Sequence, residues 1–595
     1  MQRPTPAQQR IIDEPGHLLV VAGPGSGKTG TIVRRIAAIL KTPAARVVAV
    51  SFTRDSAREL QQRLKALAPP PDLARVNVGT FHGLSLRHLE RHRPGLRVAS
   101  PAQQRALLKA CLREMDSAAR VLATQQLENA KCSLQAAEAA SAIAAEPWFA
   151  QYQDMLQRNG LVDLYDVMRL AAQAMAEDAL PPLPCTHLLV DEAQDCDAVQ
   201  YAWTRAHATR GVITTLVGDD DQTIYEWRRA IGYTGMQAFA REFRAPVLHL
   251  EENFRSLQTV VDAADRLIQG NNPARLPKTP IARRGPGGQL RLLPDASTRA
   301  CAEAIVRLIL PDTRPEGAQK TVAAGSWAVL ARTNHCLHLM QAALEAAGVR
   351  YTRSTGSLYE TPAASLMLAL LSTLADAQPL GLDLAMLHAG VPAPLCGAVL
   401  RAHEGRHAQL MDEGDCDMPP DAPAAAQQAL RDLLRRVAVW RRFQREGAYI
   451  DLLDRLTRFV VEGYRPEEQE LPQAICDAIT RTLLAADAPD FAARLRWLKL
   501  RGKPGESRDG VALHTMHGAK GLEFTQVALL GVDDTTIPGD PRRHAAEGET
   551  HTVASERRLL YVAMTRARDS LVIAHTAGKG SRFLGELPDG VGSGG

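Results

Sequence analysis

Near the start of the chain, an apolar run leads directly into a glycine-rich loop, and this pairing admits few folds. Residues 17–22 read H-L-L-V-V-A, and residues 22–29 read A-G-P-G-S-G-K-T. The apolar positions at 31–40 then follow helical spacing. Strand, glycine loop and helix in this order are the setting of a phosphate-binding loop, which is built on a parallel α/β sheet.

The composition of this loop suits a nucleoside triphosphate. Its glycines let the backbone curl until several N–H groups face a phosphate, and the next helix adds its positive end. Lys28 is predicted to bridge the β- and γ-phosphates, and the Thr29 hydroxyl to ligate Mg²⁺. A glycine turn before a core helix is the alternative, which the complete G-K-T disfavours. The predicted phosphate-binding residues are Gly23, Gly25, Ser26, Gly27, Lys28 and Thr29.

An acidic pair follows a second apolar run. Residues 188–190 are L-L-V and residues 191–195 read D-E-A-Q-D, so both carboxylates are predicted at the end of a buried strand. Asp191 would hold the Mg²⁺ shell, and Glu192 would take a proton from the attacking water. Acidic pairs at strand ends often mark a solvated loop, but the glycine loop upstream favours the catalytic interpretation.

Length and composition set wider limits. A chain of 595 residues is too long for one hydrophobic core, and 45% apolar with 23% charged residues is typical of globular domains. The net charge of +4 permits nucleic-acid binding without arguing for it. None of the nine cysteines forms a C-x-x-C pair, so we expect reduced thiols in a cytoplasmic protein. No run of about 18 apolar residues is present, and a membrane span is not expected.

Strand-like apolar runs alternate with helix-like segments in both halves of the chain. They lie at 47–52, 187–191, 212–218 and 247–250, and again at 326–331, 511–515, 526–530 and 570–575. The stretches 100–180 and 376–505 are predicted to be helical. The fold class is therefore α/β, with two parallel-sheet domains that each carry a helical insertion.

Eight ordered motifs extend this pattern from Thr5 to Pro588. They are T-P-A-Q (5–8), S-F-T-R-D-S-A-R-E-L (51–60), G-T-F-H-G-L (79–84), D-E-A-Q-D (191–195), G-D-D-D-Q-T-I-Y-E-W-R (218–228), L-E-E-N-F-R-S (250–256), T-M-H-G-A-K-G-L-E-F (515–524) and E-R-R-L-L-Y-V-A-M-T-R-A-R (556–568). With them the chain resembles superfamily 1A DNA helicases of the UvrD/Rep/PcrA family. The two helical insertions match that family poorly and are placed by position.

The resemblance implies two RecA-like domains of the P-loop NTPase class and a division into four parts. Domain 1A would comprise 1–84 and 183–252, with insertion 1B at 85–182. Domain 2A would comprise 253–375 and 506–595, with insertion 2B at 376–505.

The resemblance also implies roles around ATP and Mg²⁺ for Gln8, Gln222, Phe254, Arg255, Glu523 and Arg566. Gln8 would read the adenine edge, Phe254 would cover one face of the base, and Glu523 would contact the sugar. Gln222 would sense the γ-phosphate and relay its loss to the DNA groove. Arg255 and Arg566 would reach the γ-phosphate from the second domain, since guanidinium groups stabilise the charge of a transferred phosphoryl group.

For single-stranded DNA, the resemblance implies contacts from Phe52, Thr53, Arg54, Thr80, His82, Tyr225, Trp227, His517 and Phe583. The aromatic rings would stack on bases, an interaction worth about 1–3 kcal/mol per base. The threonines, the arginine and His82 would contact phosphates, and His517 would link the ATP and DNA sites. Core packing for the rings and plain surface exposure for the polar residues are the alternatives.

Three positions depart from the family pattern. Gly30 stands where the family has an arginine that packs on the adenine, and Phe254 stands where it has a tyrosine. Arg229 replaces a glycine after the W-R pair. We expect weaker ATP affinity or a looser choice of base from the first two.

The implied function is an ATP-dependent DNA helicase that moves 3′ to 5′ on single-stranded DNA, acts at single-strand/duplex junctions, and is activated by self-association or a protein partner. A translocase that strips proteins from DNA is one alternative, because the insertion at 376–505 is short. A nucleotide-gated DNA-binding or sensing subunit of a repair, mobile-element or defence complex is another. The complete hydrolytic set Glu192, Arg255 and Arg566 argues against the second alternative.

Overall fold

Two compact units make up the chain. The first comprises Met1–Gly288, Pro538–Thr565 and Gly585–Asp589, and the second comprises Gln289–Ile537, Arg566–Leu584 and Gly590–Gly595. The computed structural model describes residues 3–92, 94–131, 146–224, 230–316, 319–353, 357–376, 379–416, 422–486, 488, 490–501, 509–540, 552–588 and 592–593.

A six-stranded parallel sheet forms the centre of the first unit. Its strand order is β3-β2-β6-β7-β1-β8, and each neighbouring pair is parallel. Two short pairs, β4 with β5 and β9 with β10, accompany it. The strands are β1 Leu18–Ala22, β2 Val47–Ser51, β3 Val76–Thr80, β4 Arg97–Val98, β5 Leu161–Val162, β6 His187–Val190, β7 Ile213–Gly218, β8 Val247–Leu250, β9 Glu252–Asn253 and β10 Ile281–Ala282.

A seven-stranded parallel sheet forms the centre of the second unit. Its order is β15-β16-β14-β17-β18-β11-β19, and an antiparallel pair, β12 with β13, lies apart from it. The strands are β11 Gln289–Asp295, β12 Arg314–Glu316, β13 Gln319–Thr321, β14 Trp327–Ala331, β15 Tyr351–Thr352, β16 Val511–Thr515, β17 Phe524–Leu530, β18 Ala567–Thr576 and β19 Gly592–Ser593.

Helices surround both sheets. Those of the first unit are Pro6–Asp13, Lys28–Ile39, Arg54–Lys65, Pro70–Leu73, Phe81–His92, Pro101–Cys111, Ser117–Lys131, Pro147–Arg158, Leu164–Ala176, Ala198–Ala208, Gly232–Glu242, Gln258–Ile268 and Val553–Met564. Those of the second unit are Thr298–Ile309, Asn334–Ala346, Pro362–Asp376, Leu380–His388, Ala393–Ala402, His407–Glu413, Ala424–Glu446, Tyr449–Glu462, Glu470–Leu484 and Phe491–Arg501. Among the described helices, none is long and apolar enough to cross a membrane.

Strand β1 is buried on both faces, which explains its continuous apolar run. Leu19 and Val21 pack with Trp203 and Phe239 on one side of the sheet. The alternate residues of β1 pack on the other side with the helices Pro6–Asp13 and Lys28–Ile39. A parallel sheet covered by helices on both faces requires such fully apolar strands.

The predicted α/β class with two parallel sheets is confirmed, and the strand predictions differ mainly by a residue or two at the ends. Strand β3 was not predicted, because its sequence V-N-V-G-T is short and only half-buried at the sheet edge. The predicted helical stretch 100–180 contains β5, since Gly160 at φ +61° follows the helix Pro147–Arg158. The four-part domain division stays a prediction.

Candidate functional site

The phosphate loop and both acidic motifs lie at one edge of the first sheet. Parallel strands end on the same side, and β6, β7 and β1 are consecutive neighbours. Asp191 directly follows β6, Asp219 directly follows β7, and the glycine loop follows β1. The carboxyl edge of such a sheet is the usual place for a ligand.

The glycine loop has the backbone that a phosphate cradle needs. Gly25 and Gly27 have φ values of +67° and +78°, and residues other than glycine rarely adopt such values. A Cβ on Gly25 would lie 2.6 Å from the Cβ of Arg255. Gly27 caps the helix Lys28–Ile39, so the helix begins at the loop. The loop therefore presents the positive end of a helix to its own concave side.

The loop residues fit a phosphate and its metal ion. Ser26 is buried, and its hydroxyl has no hydrogen-bond partner among the residues that the structure describes. A buried hydroxyl without a partner is unfavourable, and a phosphate oxygen would supply the missing partner. Thr29 is half-buried in the first turn of the helix, so its hydroxyl and the Asp191 carboxylate are the oxygen ligands that suit Mg²⁺.

Lys28 is paired with the predicted general base. Its Nζ donates to Oε1 of Glu192 at 3.0 Å. Burial lowers the pKa of Lys28, but nearby carboxylates, first that of Glu192, outweigh burial and leave this pKa raised. Nε2 of Gln194 donates to the other carboxylate oxygen of Glu192 at 2.6 Å. Both oxygens of Glu192 are therefore held in fixed directions.

Asp191 has an unusual pKa, and Glu192 has an unusual backbone conformation. Burial, followed by the charge of Glu192, raises the pKa of Asp191 to about 7. Asp191 therefore needs a cation beside it to be ionised at low cost, which agrees with a role as a metal ligand. Glu192 has φ +52°, a backbone conformation that costs energy in a residue with a side chain.

Asn253 attaches the segment that carries Arg255 to the glycine loop. Its Nδ2 donates to the carbonyl of Pro24 at 2.9 Å, and its Oδ1 accepts from the backbone N–H groups of Arg255 and Ser256, each at 2.8 Å. Arg255 itself lies in the first unit, and its Nη1 donates to the carbonyl of Thr565. The structure thus brings Arg255 to the side of the phosphate loop.

The predicted base-binding residues also adjoin the loop. Nε2 of Gln8 donates to the carbonyl of Ser26 at 3.4 Å, while its Oε1 accepts from the backbone of Thr5. The backbone of Phe254 donates to Gly25 at 2.8 Å, and the residue is exposed. Nη1 of Arg34 lies 3.6 Å from the point where a Cβ of Gly30 would stand.

The predicted γ-phosphate sensor lies in the first unit. Gln222 is buried in a single 3-10 turn, Asp220–Gln222, and its Nε2 donates to Oδ2 of Asp219 at 2.7 Å. Oε1 of Gln194 accepts from the backbone of Asp219 at 3.0 Å. Gln194 therefore contacts both Glu192 and the strand end that leads to Gln222.

Arg566, Glu523 and His517 are among the predicted residues that belong to the second unit. Arg566 is buried directly before β18, and its Nη1 donates to the carbonyl of Leu522. Glu523 follows Leu522 in sequence and is exposed, and its Oε1 lies 3.6 Å from Nη1 of Arg568. His517 lies in the turn after β16, half-buried. The structure brings Arg566 and Glu523 together within this unit.

Predicted DNA contacts follow the two strands β2 and β3. Ser51 pairs with Thr80, so Phe52 and Thr53 emerge beside Phe81 and His82. Oγ1 of Thr53 caps the helix Arg54–Lys65, and that helix begins with an exposed Arg54. Phe52 and His82 line one cavity of about 230 Å³. Five predicted residues therefore lie at the same sheet edge as the phosphate loop.

The other predicted aromatic contacts differ from this group. Phe583 is fully buried in the 3-10 turn Arg582–Glu586, where its exposed neighbour Arg582 pairs with Asp534. A buried ring offers no face to a base, so we leave Phe583 out of the proposed contact surface. Tyr225, Trp227 and Arg229 lie outside the described residues.

Sequence reasoning missed four residues that shape the site. Gln194 and Asn253 sit inside predicted motifs, so their polar side chains beside buried strands were a usable signal. Arg34 lies one helical turn after Gly30, and this spacing could have identified it. Lys278 contacts Asp219 from 59 residues away, and no local pattern indicates that pairing.

Comparison with known families agrees with this geometry. Residues 5–244 match a family model described as the UvrD/REP helicase N-terminal domain. Residues 248–379 and 422–578 match one described as the UvrD-like helicase C-terminal domain.

Several curated proteins are similar over nearly the whole chain. ATP-dependent DNA helicase PcrA of Leuconostoc citreum is 28% identical, covering 96% of this chain and 83% of the relative. PcrA of Staphylococcus aureus strain MRSA252 is 26% identical, with 99% and 86% covered. DNA helicase II of Escherichia coli strain K12 is 28% identical, with 98% and 87% covered.

Proposed function

The chain belongs to the UvrD/Rep helicase family, and on that premise we propose that it is an ATP-dependent DNA helicase that moves 3′ to 5′ along single-stranded DNA. Its fold is that of two RecA-like P-loop domains. We further propose that it acts in the cytoplasm at single-strand/duplex junctions, and that self-association or a protein partner increases unwinding.

The observation that carries this proposal is the pairing of Lys28 with Glu192, with Gln194 on the second carboxylate oxygen. A triphosphate bound in the loop would place phosphate oxygens beside Lys28. The ammonium of Lys28 could then donate to these oxygens and no longer to Glu192. The freed oxygen of Glu192 can then accept a proton from water, while Gln194 keeps the carboxylate oriented. A binding protein without turnover has no need of this arrangement.

The remaining nucleotide roles follow from position around the loop. Thr29 and Asp191 would hold Mg²⁺, which when bound supplies positive charge to the β- and γ-phosphates. Ser26 and the backbone of Gly23, Gly25 and Gly27 would hold the phosphates. The proposal further assigns the base to Gln8 and Phe254, the sugar to Glu523, and the γ-phosphate to Gln222, Arg255 and Arg566.

On the nucleic-acid side, Phe52 and His82 open onto one cavity, beside Thr53, Arg54 and Thr80. A ring stacks on any base, and hydroxyl or guanidinium groups bind any phosphate, so this surface suits a strand of arbitrary sequence. Tyr225, Trp227 and His517 complete the proposed set.

The first test is steady-state ATP hydrolysis with and without single-stranded DNA. We expect stimulation of about tenfold or more, and a loss of about 100-fold in Glu192→Gln, because a general base contributes about 10²–10⁴ in rate. The amide keeps the shape of the side chain and an acceptor for Lys28. Glu114→Gln, a change at an exposed position, serves as the matched control and should hydrolyse ATP as the wild type does.

A low rate that DNA does not change, despite tight DNA binding, would contradict the proposal. It would instead favour a nucleotide-gated sensing subunit. Strong stimulation without strand separation on a 3′-tailed duplex would favour a translocase that displaces proteins.

A further inference from the structure

Three consecutive carboxylates are buried at the end of β7. Asp219, Asp220 and Asp221 are 0%, 3% and 1% exposed, and their oxygens approach within 4.8 Å of one another. Like charges packed so closely in a region without water require positive charge among them.

Lys278 provides the central positive charge. Its Nζ lies 2.6 Å from Oδ1 of Asp219, 2.6 Å from Oδ1 of Asp220 and 2.7 Å from Oδ2 of Asp221. Arg275 adds Nη2 at 2.7 Å from Oδ2 of Asp221. The ammonium stands between the three carboxylates, so we assign the cluster to Lys278 and not to a metal ion.

Asp219 connects this cluster to the proposed hydrolytic residues. Its Oδ2 accepts from Gln222 at 2.7 Å, and its backbone N–H donates to Gln194 at 3.0 Å. Gln194 in turn donates to Glu192 at 2.6 Å. Hydrogen bonds therefore run without a break from Glu192 through Gln194 and Asp219 to Gln222.

The close approach at Gly218 shows how tightly this chain of contacts is packed. A Cβ on Gly218 would lie 2.5 Å from Oε1 of Gln194. Only glycine at this position lets Gln194 reach the backbone of Asp219. The orientation of Gln194 thus depends on where the Asp219 backbone is held.

The charge state of Asp219 depends on Lys278. Burial raises the pKa of Asp219, but the Lys278 ammonium outweighs burial, and this pKa ends below its ordinary value. Without the ammonium, the described contacts would leave the cluster the Arg275 guanidinium on Asp221, and Asp219 would keep only the charge of Lys28 nearby. A protonated or rotated Asp219 would no longer accept from Gln222 in the same geometry.

We propose that Lys278 is a positioning residue for ATP hydrolysis: its buried ammonium fixes Asp219, and Asp219 orients Gln222 directly and Glu192 through Gln194. This role rests on the proposed function, because Gln222 and Glu192 act on the γ-phosphate and the attacking water. Lys278 itself acts only through Asp219.

The test is a double-mutant cycle between Lys278→Met and Gln222→Ala. Lys278→Met should lower kcat for ATP hydrolysis about tenfold, a loss typical of a residue that holds a catalytic side chain in place. The Kd of a fluorescent ATP analogue should change less than about twofold. In the Gln222→Ala background the same change should cost clearly less, because only the route through Gln194 to Glu192 remains. Lys41→Met, at an exposed position, should match the wild type.

Lys278→Met can also impair folding, so a second variant keeps the buried net charge. Lys278→Met/Asp220→Asn leaves two carboxylates and one guanidinium, with the same net charge of −1 as three carboxylates with two cations. The double variant should fold and still show the loss in kcat, because Asp219 remains unsupported.

A wild-type kcat in either folded variant, or an equal loss in the Gln222→Ala background, would overturn the proposal. Hydrolysis is measured with and without DNA, so the proposed helicase function and the positioning role of Lys278 are tested by different results. The proposed function fails when wild-type protein shows no stimulation by DNA. The positioning role fails when the variants match their references in basal hydrolysis as well.

Discussion

At the scale of single residues, the missing side chain at position 30 changes how the base of a nucleotide can be held. The family pattern places an arginine there, and this chain has Gly30. Arg34 lies one turn further along the same helix. Its Nη1 is 3.6 Å from the point where a Cβ on Gly30 would stand. The guanidinium therefore returns to the region that the missing arginine would occupy.

Arg34→Ala should weaken ATP binding by about three- to tenfold, because a guanidinium on a ring face contributes roughly 0.5–2 kcal/mol. The compensating double variant Gly30→Arg/Arg34→Ala should recover the affinity. The measurement is the Kd of a fluorescent ATP analogue together with the KM for ATP. An unchanged Kd in Arg34→Ala would exclude Arg34 from the base site.

Among the elements of the first unit, a buried histidine connects a helix to the segment that precedes β6. His207 of the helix Ala198–Ala208 accepts from the backbone of Leu183 at Nε2 and is 2.8 Å from the carbonyl of Trp203 at Nδ1. One nitrogen must therefore accept and the other must donate, which only the neutral ring can do. Burial lowers the pKa of His207 from 6.5 to about 4.

This element should make the protein less stable in mild acid. Between pH 6.5 and about 4 the unfolded state binds the proton and the folded state does not, so stability is complete above pH 6.5 and falls as the pH drops. His207 should contribute about 2 kcal/mol less at pH 5 than at pH 7.5. Urea unfolding at both values should show this difference, reduced in His207→Gln.

Part of the pH effect should remain in that variant, because burial also lowers the pKa of His88 to about 4. His335→Gln, at an exposed position, should keep the whole difference. Equal pH dependence in wild type and His207→Gln would contradict the prediction.

At the scale of the whole molecule, direction of movement is the property that tests the family assignment most sharply. A single strand has two distinct ends, and a binding surface built on one edge of a parallel sheet is itself polar, so one orientation of the strand should be preferred. We expect unwinding of duplexes with a 3′ tail and little or none with a 5′ tail. Dye-labelled oligonucleotides of increasing length should show arrival times at the 5′ end that grow with length.

Equal unwinding from both tails would contradict 3′ to 5′ movement without contradicting ATP hydrolysis. Glu192→Gln is the control for this measurement, since it should bind DNA and remain stationary. The directional and hydrolytic parts of the proposal are thus tested by separate readouts.

Sequence patterns predicted those parts of the molecule that depend on neighbours along the chain. The glycine loop, the strand that carries Asp191 and the sheet class follow from local spacing and burial. The support of Asp219 by Lys278 could not be predicted, because it arises from packing between distant segments. The burial of Phe583, which was the alternative to base stacking, could not be decided for the same reason, since an aromatic residue in a motif does not reveal which side its ring faces.

The strand order of the first sheet has a thermodynamic consequence. Strand β2, which leads to Phe52, is the immediate neighbour of β6, which leads to Asp191, and neighbouring strands lie roughly 5 Å apart. Two polyanions, a triphosphate and a nucleic-acid backbone, would therefore bind along one rigid edge close enough for each to feel the other's charge. Linkage then requires reciprocity: by whatever factor the nucleotide changes the affinity for the strand, the strand changes the affinity for the nucleotide.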